Sequence, residues 1–329
     1  MAKAIRRRPF GAALAVALTG ALAGPAAAQS FPERPVRIIV PYAPGGGTDV
    51  VARVLAATMT AQMPQTVLVE NRAGAGGMVG AEAVARSAPD GHTILFTNTG
   101  HSVLRLIAPN PSLDIRQALS PVAIVSEAPM IMMAANNFPA KSLQEFVSLV
   151  RANPGRYDYG STGTGGTNGL TALMFLHASG LKMNEIPYRG GAPATLDLAA
   201  GRIAMLFDAS STSLSTTRGG QARALAVTTA QRSPSAPELP TLREAGVDAD
   251  MSIWMGMMIP SATPPALRQA VYQSVTRALA DPGLRARFTE LGTDRIPQMT
   301  PEECERFVSA EIERWEGLLQ RSGYRSNPQ

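Results

Sequence analysis

The chain has 329 residues, of which 45% are hydrophobic and 5% aromatic, and its formal net charge is +5. Its basic residues are scattered and its aromatic residues are few, which excludes a phosphate-tracking stripe or a base-stacking platform for nucleic acid. A single cysteine, Cys304, excludes an intramolecular disulfide, and its helical surroundings favour a packing role. The length is enough for two lobes with sizeable cores.

The first 28 residues have the pattern of a secretory signal peptide. Three arginines at 6–8 precede an apolar stretch at 12–23, too short for a membrane span, and an A-x-A cleavage signal at 26–28. Pro9 and the absence of a polar residue before the arginine pair favour the general secretory route, with twin-arginine export as the alternative. Cleavage would remove four positive charges and no acid, leaving a mature chain near +1.

From residue 36 onward, strand-like and helix-like segments alternate, which is typical of an α/β protein with mostly parallel sheets. The elements predicted first are strands 36–40, 66–70 and 93–97, helices 49–61 and 78–87, and a long apolar stretch at 122–134. Those predicted next are helices 142–152, 170–179 and 192–200 with strands 157–159, 185–187, 203–207 and 223–228. The last are a strand at 253–260 and amphipathic helices at 265–280, 282–291 and 301–319.

This order of elements predicts two lobes joined by two crossings of the chain. We predict residues 1–28 as the signal peptide, 29–128 as the first part of lobe 1, 129–250 as lobe 2 and 251–329 as the second part of lobe 1. Ligands of open α/β sheets bind at the carboxyl ends of the strands. We therefore expect a ligand-binding cleft between the lobes.

One side of this cleft is predicted by residues 36–49, where a β-branched strand ends in a proline, bends through three glycines and passes directly into a helix. The glycines at 45–47 can turn backbone N–H groups inward, and Thr48 and Asp49 are good first residues of a helix. Free N–H groups and the positive end of a helix dipole attract anions. The segment therefore predicts an anion cradle, with an ordinary strand-to-helix turn as the alternative.

A second loop, at residues 160–169, has the same character. Its glycines alternate with the hydroxyl residues Ser161, Thr162, Thr164 and Thr167, and a helical pattern follows. A carboxylate that leaves water needs several hydrogen-bond donors, and hydroxyl groups with backbone N–H groups can supply them without an arginine. We expect this loop to face the first one across the cleft.

Enzyme signatures are weak throughout. The three histidines form no His-x-x-x-His pair and no glutamate lies at ligand spacing, so we predict no metal site and no cofactor. The Gly-Ser-Thr-Gly sequence at 160–163 is not Gly-x-Ser-x-Gly, and Gly-Gly-Gly-Thr-Asp lacks the dinucleotide-binding spacing. We predict a binding protein and no enzyme, with an exported hydrolase as the alternative.

Several motifs occur in fixed order over nearly the whole mature chain. They are FPERPVR at 31–37, VPYAPGGGTD at 40–49, VENRAGAGG at 69–77, APDGHT at 88–93, PYRGGAP at 187–193, MLFD at 205–208, LAVT at 225–228, LPT at 239–241 and WMG at 254–256. Together they closely resemble the Bug-type extracytoplasmic solute receptors, which are the binding proteins of tripartite tricarboxylate transporters.

The resemblance implies an α/β, two-lobed periplasmic-binding-protein fold of type 2, the Venus flytrap, located in the periplasm. It implies a small carboxylate ligand, such as a di- or tricarboxylate, an acidic amino acid or an aromatic acid. The expected partners are membrane transporter subunits or a sensor, and we expect a monomer. A ligand sensor or interaction subunit is the alternative to an uptake protein.

By motif, the resemblance also implies the ligand-binding positions. They are Tyr42, Gly45, Gly46, Gly47, Thr48, Asn98, Ser161, Thr162, Thr164, Gly165, Thr167, Asn168 and Asp208. For Asp208 three roles stay open, namely holding an amino or hydroxyl group of the ligand, ordering a water, and capping the following turn. Asp49 is expected to anchor its helix, and Arg72 and Arg189 are expected to be structural and not anion clamps.

The chain departs from the family pattern at two places. In the second-lobe loop, Gly166 stands where the family has a hydroxyl residue, and Gly169 stands where it has a histidine. The loop at 113–117 also lacks the usual Tyr-Asp-Pro-like pattern. The resemblance therefore predicts the class of ligand better than it predicts which carboxylate is bound.

Overall fold

The computed structural model describes Met1 and residues 31–104, 114–163 and 166–321. The predicted signal peptide after Met1 and the predicted site residues Thr164 and Gly165 lie outside these ranges. Within them, no helix has both the length and the apolar character that a membrane crossing requires.

The elements follow the predicted order closely. The strands are β1 (Val36–Val40), β2 (Val67–Asn71), β3 (Thr93–Asn98), β4 (Leu119–Ala134), β5 (Asp158–Ser161), β6 (Asn184–Pro187), β7 (Met205–Ala209), β8 (Arg223–Val227) and β9 (Ser252–Pro260). The helices are α1 (Gly47–Gln62), α2 (Met78–Ala85), α3 (Ile115–Ala118), α4 (Leu143–Ala152), α5 (Thr167–Ser179), α6 (Gly191–Ala199), α7 (Ser210–Arg218), α8 (Pro265–Leu279), α9 (Pro282–Glu290) and α10 (Pro301–Arg321). Short 3₁₀ helices occupy Ala75–Gly77 and Thr99–Val103.

The strands form one mixed sheet in the order β2-β1-β3-β9-β4-β7-β5-β6, with β8 paired to β4. Pairing is parallel between β1 and its neighbours β2 and β3, and between β5 and its neighbours β6 and β7. The pairings of β4 and β9 are antiparallel. The expected parallel pairing is therefore found at both ends of the sheet, and the two long central strands run against their neighbours.

Strand β4 belongs to both halves of the sheet. Its residues 119–129 pair with β9, and its residues 130–134 pair with β7 and β8. We call β1, β2, β3, β9 and residues 119–129 the first half, and β5 to β8 with residues 130–134 the second half. The change of partners gives the chain its first crossing, while the lobe boundaries at 128/129 and 250/251 stay a prediction.

Aromatic side chains hold the helices against the sheet. In the second half, the Phe175 ring of α5 lies between Phe146 of α4 and Phe207 of β7, with centroids 6.5 and 5.5 Å apart. In the first half, Trp254 of β9 meets Phe307 of α10 edge-on at 6.0 Å. Each large apolar side chain that is fully buried contributes roughly 1.5–3 kcal/mol, so these contacts help to hold the helices against the sheet.

Helix α7 was not predicted, because its sequence SSTSLSTTR is rich in residues that compete with the helix backbone. In the structure its hydroxyl groups turn back onto their own helix. Ser213 Oγ donates to the carbonyl of Ala209 at 2.8 Å, and Thr217 Oγ1 donates to that of Ser213, also at 2.8 Å. Leu214 is buried in the core, so tertiary packing supplies the stability that the low helix propensity of this sequence does not.

Candidate functional site

Four helices begin at one small cavity between the two halves of the sheet. The cavity is lined by Gly47 and Thr48 at the start of α1, Asn168 at the start of α5, Gly191 at the start of α6, and Ala209 just before α7. Each helix follows a strand directly or through a short loop, which is why the carboxyl ends of the strands carry the site. The two loops predicted to face each other, after β1 and after β5, both reach this cavity.

None of these four helices has a side-chain cap. The N-cap residues are Gly46, Gly166, Gly190 and Ala209, and no side chain of theirs accepts a hydrogen bond from the helix N–H groups. The first N–H groups of a helix have no partner within it, and the helix dipole is positive at that end. The helix starts therefore present hydrogen-bond donors to the cavity without a basic side chain.

Close approach of the helix starts requires glycine at two positions. A Cβ atom on Gly47 would lie 2.7 Å from Ser211 Oγ and 2.8 Å from Ala209 Cβ, which places the starts of α1 and α7 in direct contact. A Cβ atom on Gly190 would lie 2.8 Å from Ala43 Cβ. Both contacts join the two halves of the sheet across the cavity.

Asn98, at the end of β3, is the centre of a buried hydrogen-bond network. Its Oδ1 accepts from Tyr42 Oη at 2.9 Å, from Thr167 Oγ1 at 2.8 Å and from the Gly100 N–H at 2.9 Å. Its Nδ2 donates to Thr48 Oγ1 at 2.8 Å. Burial raises the pKa of Tyr42 above its usual range, so the phenol stays a donor. Thr48 Oγ1 is an acceptor in this network, so its own hydroxyl proton can be donated to an acceptor in the cavity.

Asp208, at the end of β7, is the one acidic residue among the described lining residues. Its Oδ1 accepts from Asn168 Nδ2 at 2.9 Å and its Oδ2 from Thr212 Oγ1 at 2.7 Å. Burial raises the pKa of Asp208, while the hydrogen bonds from Thr212, Asn168 and the Ala209 N–H act against the rise. The described lining contains no lysine, arginine or histidine.

The predicted positions divide into those that line the cavity and those behind it. On the lining are Tyr42, Gly46, Gly47, Thr48, Asn98, Thr162, Asn168 and Asp208. Behind it, the Gly45 N–H donates to Asp49, Ser161 Oγ accepts from the Gly163 N–H, and Thr167 holds Asn98. These three positions support the loops and are absent from the described lining.

Four further lining residues were missed by sequence reasoning, namely Met130, Gly191, Ala209 and Ile253. Gly191 could have been predicted, because the glycine pair 190–191 leads directly into a helix, as glycines 45–47 do before α1. Ala209 follows Asp208 directly, but the helix after it was not predicted. Met130 and Ile253 are buried residues of the two crossing strands, and nothing distinguishes them from core residues in the sequence.

The charged residues beside the loops have the expected structural roles. Burial would raise the pKa of Asp49, but hydrogen bonds from Arg53, the Gly45 N–H and Asn71 lower it below its usual value. Asp49 therefore ties the glycine loop to α1 and does not reach the cavity. Arg72 pairs with Glu70 at 2.7 Å outside the lining.

The cavity measures about 20 Å³. A cavity needs roughly 10–15 Å³ of this kind to hold one water molecule, so the space in this conformation admits about one. A small organic acid is several times larger.

Comparison with known proteins places the chain in a family. The family model for the tripartite tricarboxylate transporter family receptor, TctC, matches residues 51–324. The chain belongs to this family. The resemblance to Bug-type receptors is confirmed.

Solved structures of TctC-like receptors share the fold over almost their full length. The periplasmic binding protein BugD is 34% identical, with a TM-score of 0.85 over 89% of this chain and 99% of its own. MatC from Rhodopseudomonas palustris with bound malate is 31% identical, with a TM-score of 0.83 over 88% and 100%. Rpa4515 of R. palustris with adipate is 30% identical, with a TM-score of 0.85 over 89% and 98%.

These similarities confirm the predicted two-lobed periplasmic-binding-protein fold of this TctC-family receptor. Members of the family are periplasmic solute-binding proteins and not enzymes, so the prediction of a non-enzymatic protein is also confirmed. Among the described residues, no cluster of histidine, cysteine and acidic side chains has metal-binding geometry.

Proposed function

We propose that this receptor captures a small di- or tricarboxylate in the cavity where the four helices begin and delivers it to a tripartite tricarboxylate-type transporter. The observation that carries the proposal is the convergence of the four uncapped helix starts on a lining without basic residues. Related receptors of the same fold hold malate and adipate, which are both dicarboxylates.

The chemistry of the lining suits reversible capture of an anion. A carboxylate removed from water needs several donors, and an unpaired buried charge is strongly unfavourable. Backbone N–H groups at helix starts supply such donors with the dipole in the favourable direction. The uncommitted proton of the Thr48 hydroxyl adds one side-chain donor, because Thr48 already accepts from Asn98.

Asp208 adds a carboxyl group to the N–H and hydroxyl donors of the site. Burial raises its pKa against the effect of three hydrogen bonds, and in its charged form it accepts a hydrogen bond from a hydroxyl or amino group. We propose that Asp208 faces the polar substituent or the second end of the ligand and not the carboxylate at the helix starts.

Entry and release require the two halves to open. In this conformation they are joined directly, by the Ala43 N–H that donates to the Arg189 carbonyl at 3.3 Å and by Thr167 Oγ1 that donates to Asn98 at 2.8 Å. We propose a hinge motion at the crossing strands β4 and β9, between lobe 1, formed by residues 29–128 and 251–329, and lobe 2, formed by residues 129–250. A ligand that contacts both halves would favour the closed state.

Titration calorimetry with malate, adipate, citrate, glutamate and benzoate tests this function. We expect saturable binding of at least one di- or tricarboxylate and weakening by Thr48→Val of roughly 1–3 kcal/mol, the effect of leaving a buried charge one donor short. Thr58→Val, on the same helix and half-buried away from the cavity, is the control and should bind as wild type. Equal binding by both variants would refute the assignment of the cavity.

Two further experiments test the location and the partner. Intact mass measurement of the exported protein should give a chain that begins at Gln29, as the predicted cleavage at 26–28 requires. Pull-down from membranes of the native organism should recover transporter subunits in the presence of ligand. Recovery of a sensor protein alone would favour the sensing alternative.

A further inference from the structure

Residues 292–295, between helices α9 and α10, contact both halves of the molecule, and we call them the latch segment. Chain order places them in the predicted lobe 1. They nevertheless bond to the crossing strand β4, to the first residue of α7 and to the loop after β8. Helix α7 and this loop follow strands of the second half, so the latch segment links that half to the strand at the proposed hinge.

Arg295 fastens the latch segment to β4. In an antiparallel bridge, the Glu127 N–H donates to the Arg295 carbonyl at 2.8 Å and the Arg295 N–H donates to the Glu127 carbonyl at 3.1 Å. The Asp294 N–H donates to the same carbonyl at 3.0 Å. The Arg295 guanidinium also donates to both Glu127 carboxylate oxygens, from Nε at 3.0 Å and from Nη2 at 2.6 Å. Since β4 changes partners from Met130 onward, this anchor lies beside the hinge.

Gly292 packs on the first turn of α7. Its carbonyl accepts from Ser210 Oγ at 2.8 Å, and Ser210 is fully buried. A Cβ atom on Gly292 would lie 2.7 Å from both Ser210 Cβ and Leu214 Cδ1, and its φ of +76° also favours glycine. Ala209, directly before Ser210, lines the cleft cavity. The latch segment therefore contacts one of the helix starts that form the proposed ligand site.

Asp294 makes the other contact with the second half. Its Oδ1 accepts from Ser233 Oγ at 2.6 Å, and Ser233 is 1% exposed. Burial raises the pKa of Asp294, and the hydrogen bond from Ser233 acts against the rise. A hydrogen bond to a charged acceptor is stronger than one between neutral groups. This contact therefore favours the arrangement of the two halves in which Ser233 reaches Asp294.

The attachments of the latch segment to the two sides differ in strength. Three backbone hydrogen bonds and a two-point ion pair join it to β4, whereas Ser210 and Ser233 each donate one hydrogen bond. Three residues of chain span at most roughly 10 Å, and a rotation of about 15° moves an atom at that distance by up to roughly 2.6 Å. Such a displacement breaks a hydrogen bond. When the halves separate, the two serine contacts should therefore break and the anchor on β4 should hold.

We propose that the latch segment stabilises the closed arrangement of the two halves, and that the cleft opens only when the Ser210 and Ser233 hydroxyl groups leave it. This inference rests on the hinge motion proposed above and adds the contacts that control it. Neither serine is among the described residues that line the cleft cavity. The latch therefore governs how readily the cleft opens for any ligand, and it does not select among ligands.

Distances between two spin labels measure the opening without added ligand. The labels are placed at Ala57→Cys in α1 and Ala199→Cys in α6, which are exposed positions, while Cys304 is fully buried and stays unlabelled. Pulsed electron paramagnetic resonance should show a larger open population in Ser210→Ala and in Ser233→Ala than in the labelled parent protein. We expect each change to lower the ratio of closed to open molecules about fivefold.

Ser213→Ala is the matched control. The Ser213 hydroxyl is also fully buried and also donates to a backbone carbonyl, but that carbonyl belongs to Ala209 at the start of the same helix. The control should keep the distances of the parent protein. If Ser210→Ala and Ser233→Ala, alone and combined, kept them too, the latch would be refuted. Circular dichroism checks that each variant is folded.

Asp294 provides a test that leaves the serines in place. Asp294→Ala should increase the open population as Ser233→Ala does, because both remove the same hydrogen bond. Asp294→Asn keeps an oxygen that can accept from Ser233 and should stay closer to the parent protein. Equal distances in the alanine and asparagine variants would contradict the role given to this bond.

Stopped-flow release of malate and of adipate separates the latch from the cleft. Because the two hydroxyl groups bond to the latch segment, release of both acids should accelerate by the same factor, about five, in Ser210→Ala and in Ser233→Ala. Acceleration of one acid only would indicate contact with the ligand and overturn the latch. If neither acid binds while the label distances change as expected, the proposed cleft ligand fails and the latch stands.

Discussion

Thr167 Oγ1 lies 2.8 Å from Asn98 Oδ1 and donates to it, so the first residue of α5 is bonded to the last residue of β3. The two residues are 69 positions apart in the chain and belong to different halves of the sheet. Thr167 Oγ1 also accepts from the Gly100 N–H at 3.0 Å. This hydroxyl is therefore one of the direct links between the two halves at the candidate ligand site.

Replacing Thr167 with valine should destabilise the closed molecule. The change keeps the side-chain shape but removes one hydrogen bond donated to Asn98 and one accepted from Gly100, for a loss of roughly 1–2 kcal/mol in the free energy of unfolding. Urea denaturation measures it. Thr195→Val is the control, because Thr195 Oγ1 is buried without a partner and its removal should be neutral. Equal losses in both variants would contradict the role of Thr167.

Gly47→Ala should damage both folding and binding, whereas Gly46→Ala should be milder. The Cβ atom at position 47 would lie 2.7 Å from Ser211 Oγ, and the one at position 46 no nearer than 3.6 Å to any neighbour. Crowding of this kind typically lowers stability by about 1–3 kcal/mol. Melting temperatures and ligand titrations of the two purified variants provide the comparison. A Gly47→Ala protein as stable as Gly46→Ala would show that α1 and α7 do not approach as described.

Ala209→Ser should change stability and binding in opposite directions. Ala209 is the N-cap of α7 without a side-chain cap, and serine there can accept from the first N–H groups, with a gain of about 0.5–2 kcal/mol. The same N–H groups would then be less available to a ligand carboxylate. Thermal unfolding without ligand and calorimetry with ligand measure the two effects. Stabilisation with unchanged affinity would remove α7 from the proposed site.

As pH rises, the Asp208→Asn variant should gain stability relative to wild type. Burial raises the pKa of Asp208 above 3.8, so the folded state holds this proton more firmly than the unfolded chain. Ionisation therefore destabilises wild type progressively as pH rises from about 4 through the raised pKa. The unfolding free energy of wild type minus that of the variant should fall over this window, as measured by urea denaturation at several pH values.

Asp197→Asn is the control, because the pH dependence of its stability difference from wild type should have the opposite sign. Hydrogen bonds from Tyr188 and Arg202 lower the pKa of Asp197, so its contribution is lost as pH falls through that lowered value. The wild-type-minus-variant difference should then rise with pH. Parallel pH trends in the two variants would show that the burial of Asp208 does not govern its ionisation.

The predicted elements that matched best are those with strong local signals. The strand at 36–40 was predicted with its observed bounds, because its β-branched run ends sharply in proline and glycine. The helix after it begins at Gly47, two residues earlier than predicted, inside the glycine loop. Glycine is a poor helix former in the interior of a helix, but as the first residue of α1 it allows the close contact with α7.

The sequence by itself determined the leader pattern, the alternation of strands and helices, the two glycine and hydroxyl loops and the family, because these depend on residues close together or on ordered motifs. Tertiary structure alone decided that α6 and α7 also begin at the cavity and that Asn98 joins Tyr42, Thr48 and Thr167, which lie 56, 50 and 69 positions away. It also decided the antiparallel pairing of β4 and β9. Such contacts depend on how distant segments pack, and packing energy overrides local propensity where, as in α7, the two disagree.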